Sequence, residues 1–329
     1  MKKKQIIAGV IAAVLFVFIG VSNVGMNLVE KAFLSMPAMS MDTTSGAYGF
    51  PLGDFVGIVK IDGDMMDSAE SSYYFSSGGY NHSATIDYIE ALSEAENNVG
   101  ILLYVNSGGG YTYIGDDLYL ELMEYKEETG RPIYAYFDSI AASAAYYASM
   151  SADEIYANRM TTTGSIGVYS TYYDMSELYN KLGVKEIIVK SGDNKAVGSP
   201  GQVMTDEQIA IEQSQVDYMY EIFVDVVEKG RNMDRDKVYE IADGRAYDAE
   251  QALELDLIDG IARYEDYRAQ VLSYFDDGTV FYDQDSNYSA FAYMFGEVLE
   301  SMPKSDNQVI IDFIESKENG GAKYESIYR

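Results

Sequence analysis

One serine of this chain stands in a sequence suited to nucleophilic chemistry. Ser143 lies within Asp138–Tyr147, where four alanines surround a single hydroxyl with very little side-chain bulk. The β-type run Ile133–Phe137 precedes it, and Asp138 and Ser139 are good N-cap residues, so we expect Ser143 in the first turn of a helix. Unpaired N–H groups and a positive dipole there would stabilise an oxyanion. Taken alone, however, the segment favours a helix packed tightly through small residues.

A serine nucleophile needs a base, and the composition leaves few candidates. The chain has no cysteine and one histidine, His82, in a polar loop, which argues against a zinc site and disfavours a Ser-His-Asp triad. Lys195 follows a strand-like run and precedes uncharged residues, so desolvation would lower its pKa and let it accept the serine proton. Lys190 competes for this role, and either residue could be an ordinary solvated lysine.

Two further loops could complete such a site. Asn106–Gly110 follows a buried strand and opens a helix, and its three glycines allow close backbone approach. Its spacing gives no nucleotide-binding motif, so it suits a backbone oxyanion hole or a plain strand-to-helix turn. In the hydroxyl-rich turn Thr161–Gly167, Ser165 could hydrogen-bond a buried lysine amine, although ordinary turn chemistry explains this turn equally well.

The elements that must position these residues alternate along the chain. Strands are predicted at Val56–Ile61, Gly100–Val105, Pro132–Phe137, Glu154–Ala157, Ser165–Tyr169 and Lys185–Lys190. Helices are predicted at about Ser83–Glu96, Ile114–Glu128, Thr205–Glu228, Arg235–Ile241 and Ala249–Leu255. Such alternation predicts an α/β fold with a mainly parallel sheet covered by helices.

The N-terminus predicts a membrane anchor. Lys2–Lys4 precede the apolar run Ile6–Val21, and no charge follows until Glu30, so residues 6–26 can span a bilayer as one helix. The lysines predict a cytoplasmic N-terminus, with the rest of this single-pass protein on the extracytoplasmic side of the cell membrane. A cleaved signal peptide is the alternative, because Gly20–Ser22 resembles a cleavage site.

Composition divides the chain into four parts and excludes some partners. We predict a lysine cluster and anchor at 1–26, a juxtamembrane helix or linker at 27–54, a folded domain at 55–275, and an extension at 276–329 with an amphipathic helix over Tyr288–Glu300. The net charge of −30 should repel nucleic acid and anionic lipid headgroups. We expect neither a metal ion nor a cofactor.

Four of these segments together resemble the signal peptide peptidase A family, membrane-anchored serine proteases of the ClpP/crotonase superfamily. The matching segments, in the order and spacing of the family, are Ser107–Gly110, Ile140–Tyr147, Thr163–Val168 and Lys190–Lys195. The similarity runs from about residue 55 to residue 262. The chain departs from the family pattern where Gly108 replaces a proline and where Ala144 and Ala145 replace two glycines.

The resemblance implies a ClpP/crotonase-like fold of repeated ββα and βαβ units, and it implies roles for single residues. Ser143 would be the nucleophile, Lys195 the general base and Ser165 the residue that orients the lysine. The N–H of Gly109, with that of Ala144 or Ser143, would form the oxyanion hole.

The family also implies substrates and an assembly. The substrates would be remnant signal peptides and other membrane-associated peptides, and the subunits would form a homo-oligomeric ring in which serine and lysine can come from neighbouring subunits. Two alternatives remain: an inactive membrane-anchored scaffold of the same fold, and an acyl-CoA hydratase or isomerase of the crotonase type.

Overall fold

Strands and helices alternate along the part of the chain that the structure, a computed structural model, describes: residues 48–66 and 79–283. The strands are β1 (Phe55–Asp62), β2 (Asn98–Ser107), β3 (Ile133–Ala142), β4 (Glu154–Ala157), β5 (Thr162–Gly164), β6 (Ala246–Asp248), β7 (Gly260–Ile261) and β8 (Val280–Asp283). The helices are α1 (His82–Glu94), α2 (Thr112–Thr129), α3 (Ala144–Ser149), α4 (Ser176–Leu182), α5 (Asp206–Gly230), α6 (Arg235–Ile241), α7 (Ala249–Glu254) and α8 (Tyr264–Leu272).

Two predicted features fall outside this part of the chain. The predicted anchor at 6–26 and the predicted helix Tyr288–Glu300 both lie outside the described residues. Within residues 48–66 and 79–283, no helix is both long enough and apolar enough to cross a bilayer.

The described strands form one sheet in the order β6-β5-β3-β2-β1-β8, with β4 beside β3 and β7 beside β4. Every pairing is parallel except β5 with β6, which is antiparallel. The sheet is therefore mixed but mainly parallel, and the predicted α/β class is confirmed. β8 pairs with β1 and extends the sheet beyond residue 275.

Helices cover both faces of the sheet. Alternate residues of each strand point to opposite faces, so both sets of side chains are buried. On one face, side chains from three strands and from α8 form a buried cluster: Val56, Leu102, Tyr134, Tyr136, Tyr267 and Val271. On the other face, α1 lies so close to β1 that a Cβ on Gly57 would be 2.7 Å from Leu92 Cδ1. Each such large side chain contributes roughly 1.5–3 kcal/mol when fully buried.

The central strand β3 changes partner along its length. Tyr134–Phe137 pair with β4, whereas Ile140–Ala142 pair with β5. In open α/β sheets, ligands bind at the carboxyl ends of the strands. The chain leaves β3 at this point through Ser143.

The expected capping residues of the helix at Ser143 were wrong. Asp138 and Ser139 do not cap a helix: β3 continues through them to Ala142. Pairing with β5 accounts for the longer strand. The Asp138 carboxylate accepts a hydrogen bond from the Tyr104 hydroxyl, and the Ser139 hydroxyl donates to Asn106 Oδ1.

Two predicted strands were also wrong. Residues 165–169 and Lys185–Lys190 adopt no strand, although Thr162–Gly164, just before the first of them, forms β5. The alternating pattern of Lys185–Lys190 is that of a half-buried strand, yet Ile187 is 85% exposed and Val189 is 96% exposed. A strand forms only beside another strand, and no described strand of this chain lies next to this segment.

Candidate active site

Ser143 occupies the junction between β3 and α3 in a strained backbone conformation. Its φ is 54° and its ψ is −125°, and it is the N-cap of α3 rather than a first-turn residue. Such a conformation costs a residue with a Cβ of order 1–3 kcal/mol and persists only where its surroundings impose it. Here the Ser143 N–H donates to Gly164 O at 2.9 Å, and the Ser143 C=O accepts from the Tyr147 N–H at 2.9 Å.

The glycine loop lies directly against this junction. A Cβ on Gly109 would be 2.7 Å from both Ala142 O and Ala144 N and 2.8 Å from Ser143 Cβ, and Gly109 has a φ of 94°. Only glycine fits this position, since both the space and the conformation exclude a side chain. The loop thus places its backbone in contact with the predicted nucleophile.

Met65, which sequence analysis did not identify, holds the glycine loop in place. Its N–H donates to Gly109 O at 3.0 Å, and its C=O accepts from the Tyr111 N–H at 2.9 Å. Met65 is fully buried and lies just beyond β1, so the loop is tied to the edge of the sheet where that strand ends. Nothing in the sequence around Met65 indicates this contact.

Two of the three predicted oxyanion donors are engaged within the chain. The Gly109 N–H donates to Ser107 Oγ at 3.1 Å, and the Ser143 N–H is bonded to Gly164 O. The Ala144 N–H belongs to the first turn of α3 and so has no acceptor within the helix. A substrate oxygen beside Ser143 would therefore meet the Ala144 N–H first.

A cavity of about 250 Å³ opens beside Ser143. Its walls come from the glycine loop and from three helices, α2, α3 and α5, and include Gly110, Thr112, Tyr113, Asp116, Ala144, Tyr147, Met219, Ile222 and Phe223. Sequence analysis did not identify this wall. The i, i+3, i+4 spacing of Met219, Ile222 and Phe223 marks one face of α5, but that spacing is also typical of a core-facing helix.

The lining of the cavity includes one hydrogen-bonded ionisable pair, Asp116 and Tyr147. The Tyr147 hydroxyl donates to Asp116 Oδ1 at 2.5 Å, and the Tyr147 ring packs edge-on against Tyr119 and Phe223. Burial raises the pKa of Tyr147 well above its usual range, and the hydrogen bond to Asp116 raises this pKa further. Tyr147 therefore remains a protonated donor to the carboxylate.

Ser165 directly follows Gly164, the residue whose carbonyl accepts the hydrogen bond from the Ser143 N–H. It also has a positive φ, 51°, and its N–H donates to Arg245 O at 2.8 Å. Because Gly164 O accepts from the Ser143 N–H, the structure brings the backbones of the two serines close together. Ser165 is half-buried.

Lys195 lies on a different part of the molecule, an arm that we define as residues 169–204. No residue of the arm is buried, and Lys195 itself is exposed. The Lys195 N–H donates to Gly192 O, and Lys190 Nζ donates to Asp193 O at 2.6 Å. In the part of the chain that the structure describes, neither lysine lines the cavity or hydrogen-bonds to Ser143.

His82 is also committed elsewhere. Its Nδ1 lies 2.9 Å from the Tyr80 hydroxyl and its Nε2 lies 2.8 Å from Asp117 Oδ2. It thereby connects the start of α1 to α2, and it does not line the cavity beside Ser143. A Ser-His-Asp triad centred on Ser143 is therefore not formed within this chain.

Comparison with known proteins points to one family. The profile of peptidase family S49 matches residues 125–273. A candidate signal peptide peptidase SppA of Enterococcus faecium is 40% identical over 208 residues, which are 63% of this chain and 60% of that protein. A candidate protease of Methanocaldococcus jannaschii is 30% identical over 237 residues, 68% of this chain and 76% of that protein.

The aligned region covers only part of the length of these relatives. This chain spans 60% of the length of the Enterococcus faecium protein. Among solved structures, a ClpP1 mutant from Listeria monocytogenes aligns with a TM-score of 0.39 and 14% identity, covering 64% of this chain and 92% of that one.

Proposed function

This chain belongs to the signal peptide peptidase A family of S49 peptidases, and on that premise we propose that it is a serine endopeptidase with Ser143 as its nucleophile. The observation that carries the proposal is the strained turn of Ser143, which meets the Gly109 backbone and opens onto the cavity. Strained nucleophile turns that present a hydroxyl at the end of a central strand recur in acyl-transfer enzymes.

Ser143 Oγ attacks the carbonyl carbon of a peptide bond while a neutral amine accepts the hydroxyl proton. The carbonyl oxygen becomes an oxyanion, which the Ala144 N–H stabilises as a preorganised donor. The Gly109 N–H joins it once the Ser107 hydroxyl rotates away. The base then protonates the leaving amine, and water hydrolyses the resulting acyl-enzyme.

We assign the base to Lys195 of a neighbouring subunit in a homo-oligomeric ring. Support comes from the arm, because Lys195 is exposed within its own chain whereas a lysine base must lose solvent to be neutral. The arm also exposes large apolar side chains that a second subunit would cover, among them Tyr169, Leu182, Ile187 and Val189. Ser165 follows Gly164, whose carbonyl bonds to the Ser143 N–H, and its hydroxyl would form a hydrogen bond with the incoming lysine amine.

We further propose that residues 6–26 anchor the protein in the cell membrane, with the peptidase domain on the extracytoplasmic side. The apolar run and the preceding lysines support this orientation. Peptides released into or beside the membrane, such as cleaved signal peptides, would then be the substrates. The acidic surface gives no support to a nucleic-acid partner.

Single-residue variants of the full-length protein test the assignment. With a fluorogenic peptide, we expect Ser143→Ala and Lys195→Ala each to lower kcat by about 10³-fold or more, as loss of a nucleophile or base does in serine proteases. Lys190→Ala is the matched control, since this lysine lies in the same exposed arm and hydrogen-bonds only locally to Asp193 O. It should retain most of the activity.

Two results would overturn the proposal in different ways. Activity that survives in both Ser143→Ala and Lys195→Ala would rule out the dyad. A wild-type protein that neither cleaves peptides nor reacts at Ser143 with a serine-directed fluorophosphonate would favour the inactive scaffold.

A further inference from the structure

The Asp116 carboxylate stands out among the residues of the cavity beside Ser143. It is half-buried, and its Oδ1 accepts a hydrogen bond from the Tyr147 hydroxyl. In the described part of the chain, no lysine, arginine or histidine forms an ion pair with it. One carboxylate oxygen, Oδ2, therefore remains without a donor from these residues.

Two nearby carboxylates have a basic partner, and Asp116 has none among the described residues. Asp117, the next residue of α2, bonds to His82 at 2.8 Å. Asp225 on α5 also acts on Tyr147 electrostatically, but it is paired with the Arg235 guanidinium. Asp117 and Asp225 thus each contact a basic side chain outside the cavity, whereas Asp116, which lines the cavity, accepts a hydrogen bond only from the Tyr147 hydroxyl among the described side chains.

The lining that α5 contributes to the cavity is apolar. Met219, Ile222 and Phe223 form the wall that α5 contributes. A charge that loses water beside such a wall is unfavourable unless an opposite charge compensates it. The Tyr147 hydroxyl provides one hydrogen bond but no positive charge.

The position of Asp116 in the same cavity as Ser143 indicates which group could supply the opposite charge. Ser143 and Ala144 line the cavity, so the side chain nearest the attacked carbonyl, the P1 side chain, would enter it. A volume of about 250 Å³ exceeds that of one water, roughly 30 Å³, by a wide margin and admits a long side chain. Arginine and lysine place an apolar stem against apolar walls and carry their charge at the tip.

We propose that Asp116 is a specificity-determining residue that makes this peptidase prefer substrates with arginine or lysine at P1. This inference rests on the proposed peptidase function and goes beyond it by naming a substrate class. Asp116 Oδ2 accepts a hydrogen bond from the guanidinium or ammonium, while the Tyr147 hydroxyl on Oδ1 holds the carboxylate in orientation. The apolar wall of α5 packs against the methylene groups of the same side chain.

A set of peptides that differ only at P1 tests the inference with the full-length protein. Arginine is compared with citrulline, which has nearly the same shape but no charge, and with leucine. We expect the wild type to cleave the arginine peptide with a kcat/KM about tenfold or more above that of the citrulline peptide, the effect of one charged hydrogen bond. In Asp116→Asn this ratio should fall to near 1.

Two further variants make the result specific. Asp117→Asn removes the adjacent charge, which faces His82 rather than the cavity, and should preserve the preference for arginine. Tyr147→Phe removes the hydroxyl that orients the carboxylate but keeps its charge, so the preference for arginine should become smaller without being lost; complete loss would mean that the carboxylate charge alone does not select P1. Far-ultraviolet circular dichroism verifies that each variant is folded.

Each other outcome overturns the inference for a distinct reason. A ratio that is unchanged in Asp116→Asn means that the carboxylate does not contact P1. An equal fall for all three peptides means that Asp116 acts on the catalytic lysine or on the fold instead. If the wild type cleaves none of the peptides, the proposed peptidase function fails first, and the P1 preference fails with it.

Discussion

The turn that carries Ser143 and the arm that carries Lys195 differ in almost every structural respect. Around Ser143, the backbone is fixed by hydrogen bonds to Gly164 and Tyr147 and by contact with Gly109, and the adjacent Ala142 and Ala144 are buried. The arm, residues 169–204, has no buried residue. One region is therefore specified by its own chain, and the other presents its side chains outward.

Charge separates the two regions as well. The whole chain has a net charge of −30, but the arm has four lysines and four acidic residues and is therefore neutral. The arm is neutral overall and exposes apolar side chains. It can therefore approach the acidic remainder of a second copy without the repulsion that two acidic surfaces would experience. The difference supports the proposal that a second subunit covers the arm, whereas the sheet around Ser143 is formed by its own chain.

Removing apolar side chains from the arm should have the largest effect. We expect Ile187→Ser with Val189→Ser to weaken self-association by about 10²–10⁴-fold, because burying each such side chain contributes roughly 1.5–3 kcal/mol. Activity should decrease with it at low protein concentration. Sedimentation velocity of the detergent-solubilised full-length protein measures the association.

Leu52→Ser is the matched control for the arm. Leu52 is fully exposed, like Val189, but precedes β1 in the folded body. It should leave self-association unchanged. If the arm variant sediments like the wild type, the arm is not the interface.

Two glycine substitutions compare the regions directly. We expect Gly109→Ala to lower the free energy of unfolding by about 3 kcal/mol or more, because its Cβ would overlap backbone atoms next to Ser143 and its φ is positive. The loss should lower the Tm by about 6–12 °C. Thermal unfolding monitored by circular dichroism measures the Tm of Gly109→Ala and of the comparison variant Gly183→Ala.

Gly183→Ala in the arm introduces a similar backbone strain without the overlap. Its φ is 71°, it caps the end of α4, and a Cβ would meet nothing within 4 Å. We expect a loss of only about 1 kcal/mol. Equal losses at the two glycines would mean that the packing around Ser143 is less tight than the structure indicates.

The smallest expected effect on stability comes from one carboxylate outside the arm, that of Glu121. Partial burial, and to a lesser extent repulsion from nearby acids, together raise the pKa of Glu121 on α2 to about 6; these acids are Glu90, Glu124, Asp117 and Glu128. The folded state thus binds this proton more tightly than the unfolded state, whose value is near 4.5. Stability therefore decreases as the pH rises from about 4.5 to about 6, and it stays lower above that range.

Glu121→Gln removes this charge and should raise the free energy of unfolding at pH 7–8 by up to about 1 kcal/mol, a value reduced for solvent screening of a partly exposed group. Urea unfolding at pH 5 and pH 8 measures the change. Glu177→Gln in the exposed arm is the control and should stay within about 0.5 kcal/mol. A gain at Glu121 that is the same at both pH values would contradict the proposed origin.

Much of the fold could be predicted because its long elements carry strong local signals. β1, β2 and the first half of β3 are continuous apolar runs, and α5 begins with the Thr205–Gln208 capping box. The strands β5 to β8 have two to four residues each, too few for a periodic pattern. Lys185–Lys190 has the pattern of a strand but no neighbouring strand in its own chain, and a pattern alone does not supply one.

The site could be predicted only where a motif is contiguous. Ser143 and the glycine loop are local sequences, and the structure places them in contact. The cavity wall comes from helices separated by about a hundred residues, so Asp116 and Phe223 carry no shared signal in the sequence. The alanines before Ser143 favour a helix, but pairing of Ile140–Ala142 with β5 overrides that preference, so β3 continues further than expected.

Mixing two inactive variants tests the central claim most directly. The full-length Ser143→Ala protein, which keeps Lys195, is dissociated and reassembled with the Lys195→Ala protein, which keeps Ser143, and peptide cleavage is measured. If the arm supplies the base to a neighbour through a head-to-tail interface, random assembly should restore activity to about a quarter of the wild-type level. A reassembled mixture as inactive as either variant alone would contradict the account.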